Sequence, residues 1–243
     1  GREPQEIKEE VRLGDMGILI CKIKVKSVDS TYIYLRNKKV RLLGEPMADP
    51  SGEKSFFLKD PFNNIFQIVE GNNWFLNEKK ETGGAYGTII GVSDIDKAKV
   101  LYSDILGYDE VVYDKTDIFP DLSPLPGGEN KVRRVLLKAS EPFSGPFIRI
   151  FGQSQIELIC PVERPGKRIY EGRFWGDPGF IHLCVLTCCI QTFQRHITSM
   201  YICLCHEIFQ GNGDTATTGT YIQNHTIDRR FPDNPFDQFF RFR

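Results

Sequence analysis

The stretch GTIIGVSDIDKAKVLYSDILGY, residues 87–108, decides the fold of this chain. Residues 87–92 predict a short strand, and Ser93 or Asp94 can cap the following helix by accepting from its first free backbone N–H groups. Gly107 stands where a helix can end in a left-handed residue. The helix has one apolar face, formed by Ile95, Ala98, Leu101 or Tyr102, and Ile105.

The same opening occurs three times and predicts three copies of one unit. The first copy has a strand over 17–25, a helix over 28–38, and later strands near 40–43, 55–58 and 65–69. The second copy continues beyond residue 108 with strands near 110–113, 133–138 and 148–151, the last running on to 155–160. The third copy has a strand over 180–186 and a helix over 190–200.

Each copy is a βαβββ unit, so the predicted fold class is α+β, with repeated βαβββ modules and mixed sheets forming a cup. One helix covers only one face of a four-stranded sheet, and the other face needs a partner or a ligand. Residues 1–76 are expected to form a single module whose partner is missing or comes from another chain. Residues 84–243 are expected to pair two modules, 85–160 and 179–243, in one cup.

Composition excludes several classes of protein. A net charge of −1 argues against a nucleic-acid binder, and no apolar run approaches the roughly 18 residues that a membrane span needs. The polar first residues do not form a signal peptide, and no cysteines form a zinc-ribbon CxxC pair, which favours a reduced, cytoplasmic protein. All lysines lie at or before Lys167. This shift indicates either a diverged module or an altered tail beyond about residue 184.

The chain resembles the vicinal-oxygen-chelate superfamily, which includes glyoxalase I, bleomycin-resistance proteins and extradiol dioxygenases. The resemblance is carried by residues 87–108 together with SFFLKDPFNNIFQIVE, SQIELICP and GFIHLC. It implies metal ligands on the opening and closing strands of the modules. The corresponding positions are Ile20, Gln67, Gly87, Glu157, His182 and Arg241.

Of these six positions, Glu157 and His182 are the two that the resemblance implies as metal ligands, for Zn, Ni, Mn or Fe(II). Strand alternation predicts that both point into the cup. Glu157 is also the candidate catalytic residue, as a carboxylate that can move a proton. The alternative is that the two side chains form a buried hydrogen-bonded pair or line the pocket.

Three further side chains are candidates for substrate binding. Arg133 and Arg149, expected in strands of the second sheet, could pair with a substrate carboxylate, although solvated strand edges explain them equally well. Trp175 could contact a ligand at the mouth of the cup, or it could anchor a strap that covers the sheet.

The resemblance implies a protein that binds a small oxygen-bearing molecule in a sheet-lined cup, with possible metal-assisted lyase or dioxygenase chemistry. The alternatives are a metal-free binding or sequestering protein of the bleomycin-resistance type, and a purely structural or interaction module. The expected partners are a small-molecule ligand and a possible second copy of the chain, but neither nucleic acid nor a membrane.

Overall fold

The computed structural model describes residues 3–7, 9–75, 80–143, 148–187 and 197–205. The chain divides into two compact units, Gly1–Ile208 and Phe209–Arg243, and every described residue belongs to the first. The end of the third copy predicted from the sequence, with Arg241, therefore lies outside the described residues.

Two βαβββ modules follow each other along the chain. The first consists of β1 (Gly17–Val25), α1 (Val28–Asn37), β2 (Arg41–Ala48), β3 (Lys54–Lys59) and β4 (Ile65–Glu70). The second consists of β5 (Thr82–Gly91), α2 (Ile95–Lys99) with a π-helical extension (Val100–Ile105), β6 (Glu110–Asp117), β7 (Val132–Lys138) and β8 (Gln155–Pro161). A 3₁₀ turn (Pro120–Leu122) follows β6, and a short helix α3 (Ile148–Phe151) precedes β8.

Local sequence signals explain the ends of the helices. Ser27 caps α1, with its side chain accepting from the backbone N–H of Ser30, and Asp94 caps α2 by accepting from that of Lys97. Gly107 has a φ of +81°, which confirms the left-handed residue predicted after the second helix.

The strands form one mixed eight-stranded sheet in the order β2-β3-β4-β1-β5-β8-β7-β6. Each module contributes one parallel pair, β1 with β4 and β5 with β8, and its other pairs are antiparallel. The sheet curls into a half-barrel with α1 and α2 on its convex face. The predicted α+β fold of paired βαβββ modules is confirmed, and we call the concave face the cup.

The modules join through antiparallel pairing of β1 with β5, from Gly17 opposite Gly91 to Val25 opposite Thr82. The expectation that the first copy has no partner within the chain is therefore wrong, because the second copy extends its sheet. The domain limits at 76 and 84, and the pairing of 85–160 with 179–243, stay predictions.

A two-stranded sheet lies outside the main sheet and consists of β9 (Gly179–Thr187) and β10 (Ile197–Cys205). The helix predicted over 190–200 is wrong where the structure describes it, because 197–200 lie in β10 and pair with β9. The strand predicted near 148–151 is also wrong. Those residues form α3, and Gly152, with a φ of +73°, turns the chain before β8.

Two apolar clusters fill the convex side. Val25 and Val28 pack with Phe56 and Ile68 beneath α1. A second cluster lies beneath α2 and includes Ile95, Tyr108, Val135, Leu137, Ile156 and Leu158. Because strand residues alternate between faces, these clusters leave the intervening side chains of β1, β4, β7 and β8 for the cup.

Candidate functional site

Part of the cup is filled by the chain itself. Leu13, from the N-terminal segment, and Phe119, Leu122 and Leu125, from the connection between β6 and β7, pack against the sheet residue Ile89. The backbone N–H of Leu13 donates to the carbonyl of Pro126 at 2.8 Å. This end of the cup is therefore a hydrophobic core and offers no room for a ligand.

The middle of the cup carries a row of residues in register across its four central strands. Gln67 on β4 lies beside Lys22 on β1, Lys22 beside Gly87 on β5, and Gly87 beside Gln155 on β8. A Cβ on Gly87 would lie 2.2 Å from the carbonyl oxygen of Gln155, so only glycine permits this close approach. The row places an ammonium group between two carboxamides.

Glu157 lies beside this row and belongs to a fully buried charge cluster. Its Oε2 accepts from Lys22 Nζ at 2.5 Å, and its Oε1 accepts from the guanidinium of Arg134 and from the Tyr113 hydroxyl at 3.1 Å. The same guanidinium donates to Asp121 at 2.6 Å. Two cations thus face two anions, and each carboxylate is paired.

This pairing determines the ionisation of Glu157. Burial alone would raise the pKa of its carboxyl group, but Arg134 and Lys22 outweigh burial and lower that pKa to about 2. Burial lowers the pKa of Lys22, and the carboxylate of Glu157 acts in the opposite direction. The contact of 2.5 Å between Lys22 Nζ and the Glu157 carboxylate is the interaction that favours the ammonium form of Lys22.

The surroundings of Glu157 do not fit a divalent metal ion. Both carboxylate oxygens already accept hydrogen bonds from cationic groups, and Lys22 and Arg134 would repel a further cation. Within the part of the chain that the structure describes, no group of three His, Cys, Asp or Glu side chains is placed to hold a metal.

His182 lies on a strand that packs on the opposite face of the sheet from this cluster. Its strand, β9, packs on the convex side, where Phe180 contacts Phe66 edge-on and Leu183 packs against the apolar cluster under α2. The His182 ring stacks on Trp175 with a centroid distance of 4.9 Å, and burial lowers its pKa. The structure thus does not bring Glu157 and His182 together, and their role as metal ligands stays a prediction without structural support.

Of the three predicted substrate-binding residues, Arg133 and Trp175 do not line the cavity of the cup, and the side chain of Arg149 is not described. The guanidinium of Arg133 donates to Asp96 on α2 and Asp114 on β6, so it joins the helix to the sheet on the convex side. Trp175 is 59% exposed and stacks on His182 as described above. Arg149 belongs to α3 rather than to a strand, and its side chain lies outside the described residues. Their role in substrate binding stays a prediction.

The open part of the cup is a cavity of about 470 Å³. Lys22, Ser55, Gln67, Leu136 and Gln155 form its floor. Charged side chains of both signs stand around it, namely Asp49, Glu53, Lys54, Glu70 and Lys138. A larger groove of about 610 Å³ lies between the N-terminal segment and residues 166–173, but it contains none of the cup's floor residues.

One polar atom on the cavity floor has no partner. Nε2 of Gln67 donates to Ser55 Oγ at 2.9 Å, whereas its buried Oε1 accepts no hydrogen bond from any described residue. A buried polar atom without a partner is costly unless a ligand or water satisfies it. Gln67 Oε1 is therefore an unsatisfied acceptor buried at the floor of the cavity.

Sequence reasoning missed Lys22, the central residue of this site. A signal was present, because Lys22 and Lys24 occupy alternate positions of the otherwise apolar strand ICKIKV. Two lysines on the face opposite Cys21 and Ile23 indicate a polar concave side. Their burial, with Lys22 2% exposed and Lys24 1% exposed, became evident only in the folded chain.

The chain matches no protein-family model and no curated protein sequence. Among solved structures, it is similar to glyoxalase I from Zea mays, with 13% identity, a TM-score of 0.39, and coverage of 64% of this chain and 46% of that one. It is also similar to methylmalonyl-CoA epimerase from Mycobacterium tuberculosis, with 17% identity, a TM-score of 0.34, and coverage of 64% and 94%. The chain spans about half the length of the maize protein.

The resemblance to the vicinal-oxygen-chelate superfamily holds for the fold. It rests on the strand order, in which two βαβββ modules meet through their first strands and curl around a shared cup. The similarity to individual solved structures is too low to transfer an activity. No described helix is long and apolar enough to cross a lipid bilayer.

Proposed function

We propose that this chain binds a small, polar, oxygen-bearing molecule in the open part of the cup, without a resident metal ion. The observation that carries the proposal is the 470 Å³ cavity whose floor holds the buried Lys22 ammonium and the unpartnered Oε1 of Gln67. The volume falls in the range of small-molecule sites, in which a few placed polar groups orient the ligand.

The charges around the cavity favour a ligand without strong net charge. Asp49, Glu53 and Glu70 stand against Lys54 and Lys138 at the same rim, whereas Lys22 on the floor is already paired with Glu157. Amide groups line much of the remaining surface. An excess of a single negative charge steers ions only weakly over distance, so hydrogen bonding rather than steering supports recognition.

A metal-dependent lyase or dioxygenase is the second candidate, because the fold resembles a superfamily that includes such enzymes. The charge cluster weighs against it, since Glu157 is saturated by cations. A carboxyl group with a pKa of about 2 is also a weak general base at neutral pH. Elemental analysis of protein prepared without chelator tests this candidate, and a stoichiometric divalent metal would support it over ours.

Two further expectations stay open alongside this proposal. A homodimer is expected if one sheet face of the first module is uncovered, but Leu13 and Leu125 pack on that face against Ile20, so a dimer would need another surface. A cytoplasmic location is consistent with Cys21 and Cys160, which form no disulfide with a described residue.

The proposal is tested by blocking the cavity. Lys138 is half-buried in the cavity wall at the end of β7, and Lys131 is exposed just before that strand begins. Lys138→Trp therefore narrows the cavity, and Lys131→Trp is the matched control with the same change in size and charge.

Saturation-transfer NMR with a panel of three- to six-carbon polyols, hydroxyketones and hydroxyamides then reports binding. We expect signals for the wild type and for Lys131→Trp that are lost in Lys138→Trp, while thermal unfolding shows both variants folded. Binding that is equal in both variants, or no binding of any panel member to the wild type, would contradict the proposal.

A further inference from the structure

The floor of the cup's cavity is almost hidden from solvent. Ser55, Gln67 and Gln155 line this cavity of about 470 Å³, yet they are only 3%, 2% and 5% exposed. A ligand that contacts these side chains therefore needs part of the cavity wall to move. The wall includes the turn between β2 and β3, residues 48–54, which we call the hairpin tip. Its lining residues are Asp49, Ser51, Glu53 and Lys54.

The hairpin tip reaches from one end of the sheet to the other. β2 and β6 are the two outermost strands in the sheet order. Nevertheless, Lys115 Nζ on β6 donates to the carbonyl oxygen of Pro50 in the hairpin tip at 3.3 Å. Because the hairpin tip also lines the cavity, this contact joins the two ends of the curled sheet over its concave face. The hairpin tip therefore covers the cup.

The hairpin tip is held together by its own hydrogen bonds. Asp49 Oδ1 accepts from the backbone N–H of Ser51 at 2.8 Å and from that of Glu53 at 3.1 Å. The backbone N–H of Asp49 donates to the carbonyl of Glu53 at 2.9 Å. Ala48 pairs with Lys54 at the base of the turn. A movement of the hairpin tip as one body would break none of these bonds.

β2 is interrupted just before the hairpin tip. Residues 44–46 lie opposite a single residue of β3, Phe56, because the ladder resumes only at Met47. A bulge of this kind bends a strand and disrupts its pairing. Gly44 has a φ of +74°, and Pro46 has no N–H to donate to β3. Residues 44–46 can therefore absorb a change in backbone direction, as hinge residues do.

The polar contacts that hold the hairpin tip against other elements lie at the surface. Among the described residues they are the bond from Lys115 to Pro50 and the ion pair of Lys54 with Asp29 at 2.8 Å. The side chains of Lys54 and Asp29 are 56% and 61% exposed, and Lys115 is also exposed. Exposed contacts of this kind are weak, because water competes for both groups. Opening the hairpin tip is therefore inexpensive.

We propose that the hairpin tip is a gate which swings about residues 44–46 and controls access to the cavity, with Lys115 as its latch. This inference rests on the proposed function and adds the route by which a ligand enters. Breaking the bond between Lys115 and the Pro50 carbonyl lets the hairpin tip move as one body and exposes the cavity floor. Once a ligand is inside, the same bond forms again over it.

A thiol introduced on the cavity floor measures opening without any ligand. Gln155→Cys supplies this thiol, and peptide mapping after iodoacetamide treatment gives its rate of modification. Lys115→Met in the same background removes the latch but keeps most of the side-chain stem. We expect modification about threefold faster, as the loss of one exposed charged contact gives. Lys131→Met, a change of an exposed lysine just before β7, is the matched control and should leave the rate unchanged.

Two further readouts separate gating from unfolding. Cys21 lies on the opposite face of β1 and is 3% exposed, so it should stay unmodified in every variant, and urea unfolding of the variants should be the same within error. Amide hydrogen exchange at Ser51 and Glu53 should be equal with and without Lys115→Met, because the hairpin tip keeps its internal hydrogen bonds as it swings.

The outcomes distinguish this inference from the proposed function. Equal rates of thiol modification with Lys115→Met and Lys131→Met overturn the latch and the gate. Amide exchange within the hairpin tip that accelerates in parallel with thiol modification shows local unfolding and overturns the hinged movement. Neither result depends on ligand binding, which the saturation-transfer experiment measures separately. A gate that opens as expected over a cavity that binds no member of the panel would contradict the proposed function alone.

Discussion

Replacing Lys22 by Met tests the buried charge cluster most directly. Methionine keeps most of the length and apolar volume of the lysine stem but lacks the ammonium. Glu157 then keeps Arg134 and Tyr113 at Oε1 and loses the partner of Oε2. We expect Lys22→Met to destabilise the protein at neutral pH, because a fully buried carboxylate oxygen is left without a partner.

The magnitude follows from the pKa of Glu157. Its ordinary value is 4.5 and its value in the folded protein is about 2. At about 1.4 kcal/mol for each pKa unit, the net shift, in which the two cations outweigh the cost of burial, stabilises the ionised form in the folded protein by about 3 kcal/mol relative to the unfolded chain. Removing one partner of a buried ion pair costs about 3–5 kcal/mol in general. We therefore expect Lys22→Met to lower the free energy of unfolding by about 3 kcal/mol.

The effect should depend on pH with a defined sign. In the wild type the pKa of Glu157 is depressed, so its stabilising contribution is fully present above pH 4.5 and is lost only as the pH falls through about 2. In Lys22→Met the lost cation raises the pKa of Glu157. If this pKa rises above the value of 4.5 in the unfolded chain, protonation of Glu157 on acidification favours the folded form of the variant. The free energy of unfolding that Lys22→Met loses relative to the wild type should then be smaller at pH 5 than at pH 7.

Urea unfolding at pH 7 and pH 5 measures both effects. Glu157→Gln and the double variant complete a cycle, in which we expect a coupling of more than about 2 kcal/mol. Lys54→Met is the matched control, because Lys54 pairs with Asp29 at the surface and its loss should leave the free energy of unfolding unchanged within error. If Lys22→Met lowers the free energy of unfolding by less than about 1 kcal/mol, the charge cluster is refuted. It is also refuted if the effects of the Lys22 and Glu157 substitutions simply add in the double variant.

Three more predictions follow from the same packing. Arg134→Met should lower the free energy of unfolding in urea by at least about 3 kcal/mol, whereas the adjacent Arg133→Met should lower it by less than about 1 kcal/mol. The reason is that only Arg134 is fully buried, and similar losses in the two variants would contradict this prediction. Gly87→Ala should lower the melting temperature strongly by scanning calorimetry, since its Cβ would collide with the backbone of Gln155, and an unchanged midpoint would argue against the register of β5 and β8. Burial raises the pKa of Cys21 to about 12, so peptide mapping after iodoacetamide treatment of the folded protein at pH 8 should find it unmodified, and rapid labelling would show that β1 is accessible.

Local signals predicted the repeated units well. The strand over 17–25 matches β1, and the helix over 28–38 matches α1 to within one residue. Asp94 and Gly107 mark the ends of the second helix as expected. Caps, glycine stops and apolar periodicity depend on neighbours within a few residues, and so the sequence carries them directly.

The site was predicted only in part, because it depends on strands that are distant along the chain. Glu157 was correctly placed among the side chains that face the cup. Its partners Lys22 and Arg134 come from β1 and β7, and only the sheet order brings them within hydrogen-bonding distance. Glu157, which the resemblance implied as a metal ligand, is paired with Lys22, which lies on the same face of β1 as Ile20 and two residues after it.

The sequence by itself determined two of the three βαβββ copies that it predicted, the helix ends and the alternation of strand faces, since these follow from interactions between residues close along the chain. The tertiary structure alone decided that β1 pairs with β5, that the N-terminal segment and the connection after β6 fill one end of the cup, and that Lys22 neutralises Glu157. These contacts join residues separated by up to 135 positions. Their energy depends on burial, which exists only after the sheet has curled and excluded water from its concave face.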